Sequence, residues 1–166
     1  MSHQPVIDGL EFARTGSRLQ GAWPVADFQR LRDVLRSGPG VVRYGLQGVP
    51  DAQGHPALRV HVEATLPLVC QRCLGPIEYA LRAESLLRLV ATQAEMEAVP
   101  LEPEGPESIV ADREMQVRAL VEDEVLLAIP IAPRHEACGA GGKEGAPGTR
   151  QRPFAGLRGL MGSTKH

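Results

Sequence analysis

The chain has 166 residues, enough for one domain with a buried core. Apolar residues make up 43% of it, which predicts a folded protein, and only 4% are aromatic, which argues against a nucleic-acid platform built on stacked bases. The first residues show no basic start followed by an apolar run, and the longest apolar stretch is too short for a membrane span. We therefore expect a soluble cytoplasmic protein with no membrane partner.

The net charge of −2 conceals an uneven distribution of charged side chains. Residues 93–124 carry ten acidic and two basic side chains, whereas residues 125–166 carry six basic and two acidic ones. Two interpretations of the acidic stretch remain open. It is either a solvated surface or a site that attracts a basic protein partner and repels nucleic acid.

The first periodic segment lies between residues 24 and 37. Val25, Phe28, Leu31 and Leu35 recur at helical spacing, with charged residues between them. A proline suits the first turn of such a helix, and a Gly-Pro-Gly run follows its end. We therefore predict a short amphipathic helix here.

From residue 41 onward the pattern becomes that of strands. The runs VVRYGLQG and ALRVHVEATL flank a turn rich in Pro, Gly and Asp, and in the second run apolar and polar residues alternate. The later run IEYALRAESLLRLVA also alternates, although its ESLLRL portion is equally compatible with a helix. Three or more strands joined by short turns predict an antiparallel sheet, packed by helices in an α+β fold.

The end of the folded part is predicted to be a loop followed by a helix. Residues 93–111 contain three prolines and therefore predict a loop. Residues 112–128 predict the best helix of the chain, with Asp112 as its N-cap and Pro130 beyond its end. Its buried stripe is predicted to comprise Val117, Leu120, Val121, Leu127 and Ala128.

These elements predict three parts: a single α+β domain over residues 1–138, a flexible Gly-rich linker over 139–150 and a tail over 151–166. The tail contains Phe154 and Leu157 in the segment PFAGL. A short apolar segment becomes ordered only where it docks. We therefore predict that these two side chains anchor in a groove, either of this chain or of a partner.

The three cysteines raise the question of metal binding. Cys70 and Cys73 form a Cys-x-x-Cys pair, and Cys138 lies three residues after His135. Such a pair can bind a metal ion, act as a redox pair that cycles between dithiol and disulfide, contribute to a structural disulfide, or have only a packing role. A redox pair is expected at the start of a helix, but Gly-Pro follows here. Three cysteines with one histidine make an ordinary tetrahedral set, and we predict one zinc ion bound by all four residues.

Three motifs in a fixed order carry a resemblance to a known family. They are LPLVCQRCLGPIEYAL, ALVEDEVLLAIPIAPRHEAC and RPFAGLRGL. Over residues 58–160 the chain resembles the YceD family of large ribosomal RNA subunit accumulation proteins. This resemblance implies a bacterial or plastid cytoplasmic factor, not an enzyme, that is needed for accumulation of large-subunit (23S) ribosomal RNA. The positions that match are Cys70, Cys73, Glu122, Asp123, Glu124, His135, Cys138, Pro153 and Phe154.

Three functional hypotheses follow. In the first, Glu122 and Asp123 point away from the apolar stripe and bind ribosomal proteins or large-subunit assembly factors. In the second, a zinc-stapled module binds 23S ribosomal RNA directly through basic residues, namely Arg72, Arg82 and Arg88. The third is a thiol oxidoreductase. We predict no catalytic residues, since no phosphate-binding loop, nucleophile elbow or metalloprotease motif occurs.

Overall fold

The structure, a computed structural model, describes residues 5–36, 38–100 and 105–137. Its helices are α1 (Gly9–Arg14), α2 (Gln93–Ala98) and α3 (Val117–Ala128), and two short 3-10 turns lie at Val25–Asp27 and Leu31–Asp33. Its strands are β1 (Val6–Ile7), β2 (Arg18–Pro24), β3 (Val41–Pro50), β4 (Pro56–Val69), β5 (Pro76–Val90), β6 (Glu107–Val110) and β7 (Met115–Gln116). None of the helices in these ranges has the length and apolar character needed to cross a bilayer.

The main feature is a five-stranded sheet in the order β2-β3-β4-β5-β6. The pairs from β2 to β5 are antiparallel, and β6 joins the edge in parallel to β5. The strands β1 and β7 form a separate two-stranded pair. The predicted α+β class is confirmed, and the run ESLLRL is part of a strand.

One face of the sheet forms the core. Along β4 the residues on this face are almost fully buried, while their neighbours on the other face, from Arg59 onward, are exposed or half-buried. The helix α3 covers the inner face with Val117, Val121 and Val125, each 0% exposed. Trp23 stacks on Tyr44 with ring centroids 4.3 Å apart, so these large aromatic rings are part of the core. The opposite face, called the open face below, is polar.

The helix predicted over residues 24–37 is not formed. Val25, Phe28 and Leu31 are buried, as their spacing predicted, but the backbone makes only the two 3-10 turns. The reason is that the backbone N–H groups find partners outside the segment. The Arg30 N–H donates to the carboxylate of Glu122 on α3 (2.7 Å), and the Leu31 N–H donates to the same oxygen (3.2 Å). These bonds replace the bonds that a helix would supply.

The loop predicted over residues 93–111 contains two regular elements, α2 and β6. The Thr92 side chain accepts a hydrogen bond from the Glu95 N–H (3.2 Å), and the Glu95 carboxylate accepts one from the Ala91 N–H (2.8 Å). This Thr-x-x-Glu spacing is a local helix-start signal that outweighed the prolines. Pro100 and Pro106 lie outside both elements, where they break no hydrogen bond.

The final helix is shorter than predicted. It begins at Val117, because residues 115–116 pair with β1 instead, and Asp112 accepts from the Glu114 N–H (3.2 Å) without capping it. It ends at Ala128, before Pro130, as predicted. Of the predicted stripe, Val117 and Val121 are fully buried, Leu120 and Ala128 are half-buried, and Leu127 is 73% exposed. The placement of Leu127 in the stripe was wrong.

A buried carboxylate organises the hairpin between β3 and β4. Asp51 accepts hydrogen bonds from the N–H groups of Gln53 (2.9 Å) and His55 (2.8 Å), and from Arg88 Nε (2.6 Å). Burial opposes ionisation of Asp51, but the hydrogen bonds from His55, Arg88 and Gln53 outweigh it and lower the pKa of the carboxyl from 3.8 to about 2. The ionised form is therefore the one that stabilises the fold.

We expect Asp51 to make stability fall on acidification. A lowered pKa stabilises the folded state above pH ~4, and this stabilisation of about 2 kcal/mol is lost as the pH falls from ~4 through ~2. Urea unfolding should show Asp51→Asn to be less stable than the natural protein at neutral pH, with the difference narrowing toward pH ~2. A difference that does not depend on pH would contradict this role.

Candidate metal centre and charged surfaces

The candidate metal site begins in the turn between β4 and β5. The Cys70 N–H donates to the Gly75 carbonyl (2.9 Å), and the Leu74 N–H donates to the Cys70 carbonyl (2.9 Å). Leu74 has a φ angle of 59°, a left-handed conformation that leucine rarely adopts. The shape of the turn is therefore imposed by its contacts, and it brings the Cys73 thiol close to the Cys70 thiol.

The segment after α3 brings a histidine to this turn. The Gln71 N–H donates to the carbonyl of buried Pro133 (2.8 Å), which ties the two segments together. His135 Nδ1 then lies 3.5 Å from Cys73 Sγ, and its Nε2 lies 2.9 Å from the Pro76 carbonyl oxygen. A carbonyl only accepts, so Nε2 carries the hydrogen, and in the neutral ring Nδ1 presents its lone pair to the thiols.

The three residues fit a zinc ion. The ligand atoms of Cys70, Cys73 and His135 all lie within 4.8 Å of one another. Ordinary zinc bond lengths place a sulfur and a nitrogen ligand about 3.6 Å apart in a tetrahedral site, close to the 3.5 Å between Cys73 Sγ and His135 Nδ1. The Nε2 hydrogen bond to a backbone carbonyl is the usual support for a ligating histidine. Cys138, the fourth predicted ligand, lies outside the described residues.

The surroundings of the site also suit close packing of ligands. Cys70 is fully buried, whereas Cys73 is exposed. A Cβ atom at Gly75 would lie 3.4 Å from Cys73 Sγ and 3.9 Å from His135 Cε1, so the backbone of Gly75 packs next to both side chains. The pKa of His135 is raised, because its Nε2–H bonds the Pro76 carbonyl and the two thiol groups lie beside its ring.

The thiol oxidoreductase hypothesis gains no support from this geometry. A low thiol pKa in such a pair usually depends on a helix that begins at the cysteines. Here the strand β5 begins at Pro76, directly after the turn, and the expectation that no helix starts at Cys73 is confirmed.

The acidic residues of α3 make hydrogen bonds and ion pairs within the protein that were not predicted. The Glu122 residue is 8% exposed, and its carboxylate accepts from the N–H groups of Arg30 and Leu31 and from Arg30 Nε (3.1 Å). The expectation that Glu122 points away from the core was therefore wrong. Asp123 is exposed, and it pairs with Arg30 Nη1 at 2.6 Å. Of the two predicted partner-binding residues on α3, Asp123 is the one at the surface.

A second glutamate of the same helix is also buried. Glu124 is 6% exposed, and the Ser85 hydroxyl on β5 donates to its carboxylate. Burial raises the pKa of Glu124, the hydrogen bond from Ser85 opposes this shift, and the nearby charges of Glu107 and Asp123 add to it. Glu107, Asp123 and Glu124 therefore lie close enough to form one acidic region.

The arginines assigned to direct RNA binding do not form one surface. Arg88 is 8% exposed and pairs with the buried carboxylate of Asp51, so it is not available. Arg82 is exposed on the open face and pairs with Glu63 (3.1 Å), whereas Arg72 lies in the cysteine turn at the far end of the hairpin. A continuous basic site made from these three residues is excluded.

Residues 58–161 match the family model described as large ribosomal RNA subunit accumulation protein YceD. The match covers more than half of the chain. The chain belongs to the YceD family. The resemblance found in its motifs is thereby confirmed, and the family's description connects the chain with accumulation of large-subunit ribosomal RNA. No solved structure matches the chain.

In this YceD-family protein the matched region contains all but the first two residues of β4, the cysteine turn, β5, α3 and His135. It therefore contains all three described residues of the candidate metal site. Phe154 and Leu157 fall within the match but outside the described residues. Arg30, which lies before the match and pairs with Glu122 and Asp123, was not among the residues predicted from the sequence. No local signal could have found this residue, because more than 90 positions separate it from its partners.

Proposed function

We propose that this protein is a non-enzymatic cytoplasmic factor that supports accumulation of 23S ribosomal RNA by binding ribosomal proteins or large-subunit assembly factors. The observation that carries the proposal is the YceD family match, which supplies the process. The structure supports the protein-binding mechanism through exposed carboxylates that recur along the chain from α2 to α3. Nothing in this mechanism requires a catalytic residue.

The acidic surface is defined by exposed carboxylates on α2, β6, the turn between β6 and β7, and α3. Its members are Glu95, Glu97, Glu107, Asp112, Glu114 and Asp123. Such a surface attracts the basic proteins that coat ribosomal RNA and repels the phosphate backbone. Docking of Phe154 and Leu157 on the same partner would add an apolar anchor to this attraction.

Reversing charge on the acidic surface should impair function and leave the fold intact. We expect Glu107→Lys with Asp123→Lys to fail to restore mature 23S ribosomal RNA in a strain that lacks the gene. Both side chains are exposed, so melting temperature should change little. The ratio of large- to small-subunit RNA is the measurement.

A matched control tests whether position matters or only net charge. Glu78→Lys with Glu84→Lys makes the same charge change on exposed residues of the open face, and this variant should complement fully. If both double variants complement equally, the acidic surface faces solvent and does not bind a partner needed for function.

Affinity purification with and without RNase should show protein partners that remain bound after the RNA is digested. Partners that are retained only through RNA would favour the direct RNA-binding alternative.

We also propose that zinc staples the cysteine turn to the segment after α3, through Cys70, Cys73, His135 and Cys138. Zinc bound there would supply folding energy and no reaction chemistry, since four protein ligands leave no open position. The Gln71–Pro133 hydrogen bond and the His135–Pro76 hydrogen bond support this proposal, because they already hold the two segments together. The staple would fix the end of α3 relative to the sheet.

Purified protein should contain about one zinc ion per chain, measured by elemental analysis. Cys73→Ser should lose the metal and lower the melting temperature by several degrees, a moderate effect because the core lies elsewhere. Cys138→Ser should do the same if it is the fourth ligand. If the purified natural protein contains no metal, and a chelator does not change its melting temperature, the thiols have only a packing role.

A further inference from the structure

Within the part of the chain that the structure describes, the strand β2 is an unpaired edge of the sheet. It pairs with β3 on one side, and in the described residues no strand pairs with its other side. Val25 N–H donates to the Gly40 carbonyl, and Gly48 N–H donates to the Ser17 carbonyl. Residues 17 and 25 therefore direct their backbone groups toward β3, and in an antiparallel ladder residues 19, 21 and 23 do the same. The N–H and C=O groups of Arg18, Gln20 and Ala22 consequently point outward.

This edge lacks the usual protection against strand addition. Natural edges carry a charge, a proline or a bulge, are very short, or are covered by another element. The opposite edge, β6, has four residues, begins with Glu107 and is contacted by α2. In β2, by contrast, the only charge and the only proline are the terminal residues Arg18 and Pro24, and the five residues between them are uncharged.

The side chains beside this edge favour an acidic partner. Arg18 and Arg43 have no ion pair or hydrogen bond through their side chains to any described residue. Arg43 lies opposite the small residue Ala22, so its guanidinium group is accessible from the edge. Both face the open side of the sheet. A strand added next to β2 would place alternate side chains about 5 Å from Arg18, whereas the long side chain of Arg43, on β3, would reach the added strand across Ala22.

A recess of about 430 Å³ adjoins the edge on the open face, lined by residues that include Arg18, Gln20, Gln47, Arg59 and His61. Its floor is Gly45, where an added Cβ would meet no atom within 4 Å. On the inner side of the edge, Leu19 is half-buried against the core. The two sides of a docked strand would therefore meet different surroundings, polar and basic on one side and apolar on the other.

We propose that β2 is a docking edge for an extended acidic segment of a partner protein, which adds antiparallel as a sixth strand. Antiparallel pairing is chosen because its hydrogen bonds run perpendicular to the strands and are slightly more stable. The segment alternates acidic residues, which face Arg18 and Arg43, with apolar residues, which face Leu19. The β2 edge is separate from the acidic surface and from the candidate zinc site, and binding at this edge requires neither of them.

The test measures binding of a fluorescent octapeptide of alternating glutamate and valine to the full-length protein. Ala22→Pro removes only an outward N–H, which edge strands tolerate, so the variant should fold normally and bind about tenfold more weakly. Arg18→Glu should also weaken binding, and an octapeptide of alternating lysine and valine should bind worst. Circular dichroism establishes that both variants are folded.

Modified peptides test the same edge with the natural protein. In antiparallel docking the glutamate N–H groups bond β2, so methylating those nitrogens should abolish binding, whereas methylating the valine nitrogens should have little effect. The proposal is overturned if both methylated peptides bind as tightly as the parent. It is also overturned if Ala22→Pro converts a dimer to a monomer, or if single-stranded RNA binds this face with a dependence on Arg18 and not on Ala22→Pro.

Discussion

Val121→Asp should unfold the protein or destabilise it by about 3–5 kcal/mol, whereas Leu127→Asp should destabilise it by about 1 kcal/mol or less. Val121 is 0% exposed and faces the sheet, so an aspartate there would be a buried charge without a partner. Leu127 is 73% exposed, six residues further along the same helix. Both substitutions place the same carboxylate in α3, so the change in charge is matched. Helix propensity and the helix dipole disfavour aspartate more at Leu127, in the last turn, so a larger effect at Val121 reports its burial.

The measurement is the free energy of unfolding from urea titration of both variants. Val121→Asp should unfold at a much lower urea concentration than the natural protein, or be unfolded without urea by circular dichroism, whereas Leu127→Asp should retain its secondary structure. Equal effects at the two positions would mean that α3 does not bury the face seen in the structure. A larger loss of stability at Leu127 than at Val121 would mean that Leu127 is buried, as its hydrophobic spacing predicted.

The second large effect is expected at Glu122. Glu122→Ala should destabilise the protein by about 2–4 kcal/mol, because it removes the acceptor of the buried Leu31 N–H and of two donors on Arg30. Asp123→Ala removes one contact with the same arginine, but that pair is half exposed on both sides, and its loss should cost less than about 1 kcal/mol.

Hydrogen exchange gives a readout specific to this contact. In Glu122→Ala the backbone amides of Arg30 and Leu31 should exchange faster, because their acceptor is gone. Glu122→Gln keeps an acceptor oxygen and should retain part of the protection. If Glu122→Ala and Asp123→Ala have the same small effect on stability and exchange, the carboxylate of Glu122 does not hold the segment that precedes β3.

Large parts of the fold could be predicted from local sequence. Alternation of apolar and polar residues identified β3, β4 and β5, and the buried residues Val117 and Val121 followed from helical spacing. The Thr92–Glu95 capping signal was present in the sequence and was overlooked in favour of the prolines. The Cys-x-x-Cys pair and the distant histidine were identified as one set of donors, and the structure brings Cys70, Cys73 and His135 together.

The sequence by itself determined which side chains are apolar and how they are spaced, and therefore that Phe28 and Leu31 would be buried. Only the tertiary structure decided the backbone conformation around these two residues and the burial of Glu122. Burying a carboxylate is costly unless donors surround it, and these donors come from Arg30 and Leu31, more than 90 positions away. Apolar spacing is a local property of the chain, whereas the partner of a buried charge exists only once distant segments have met.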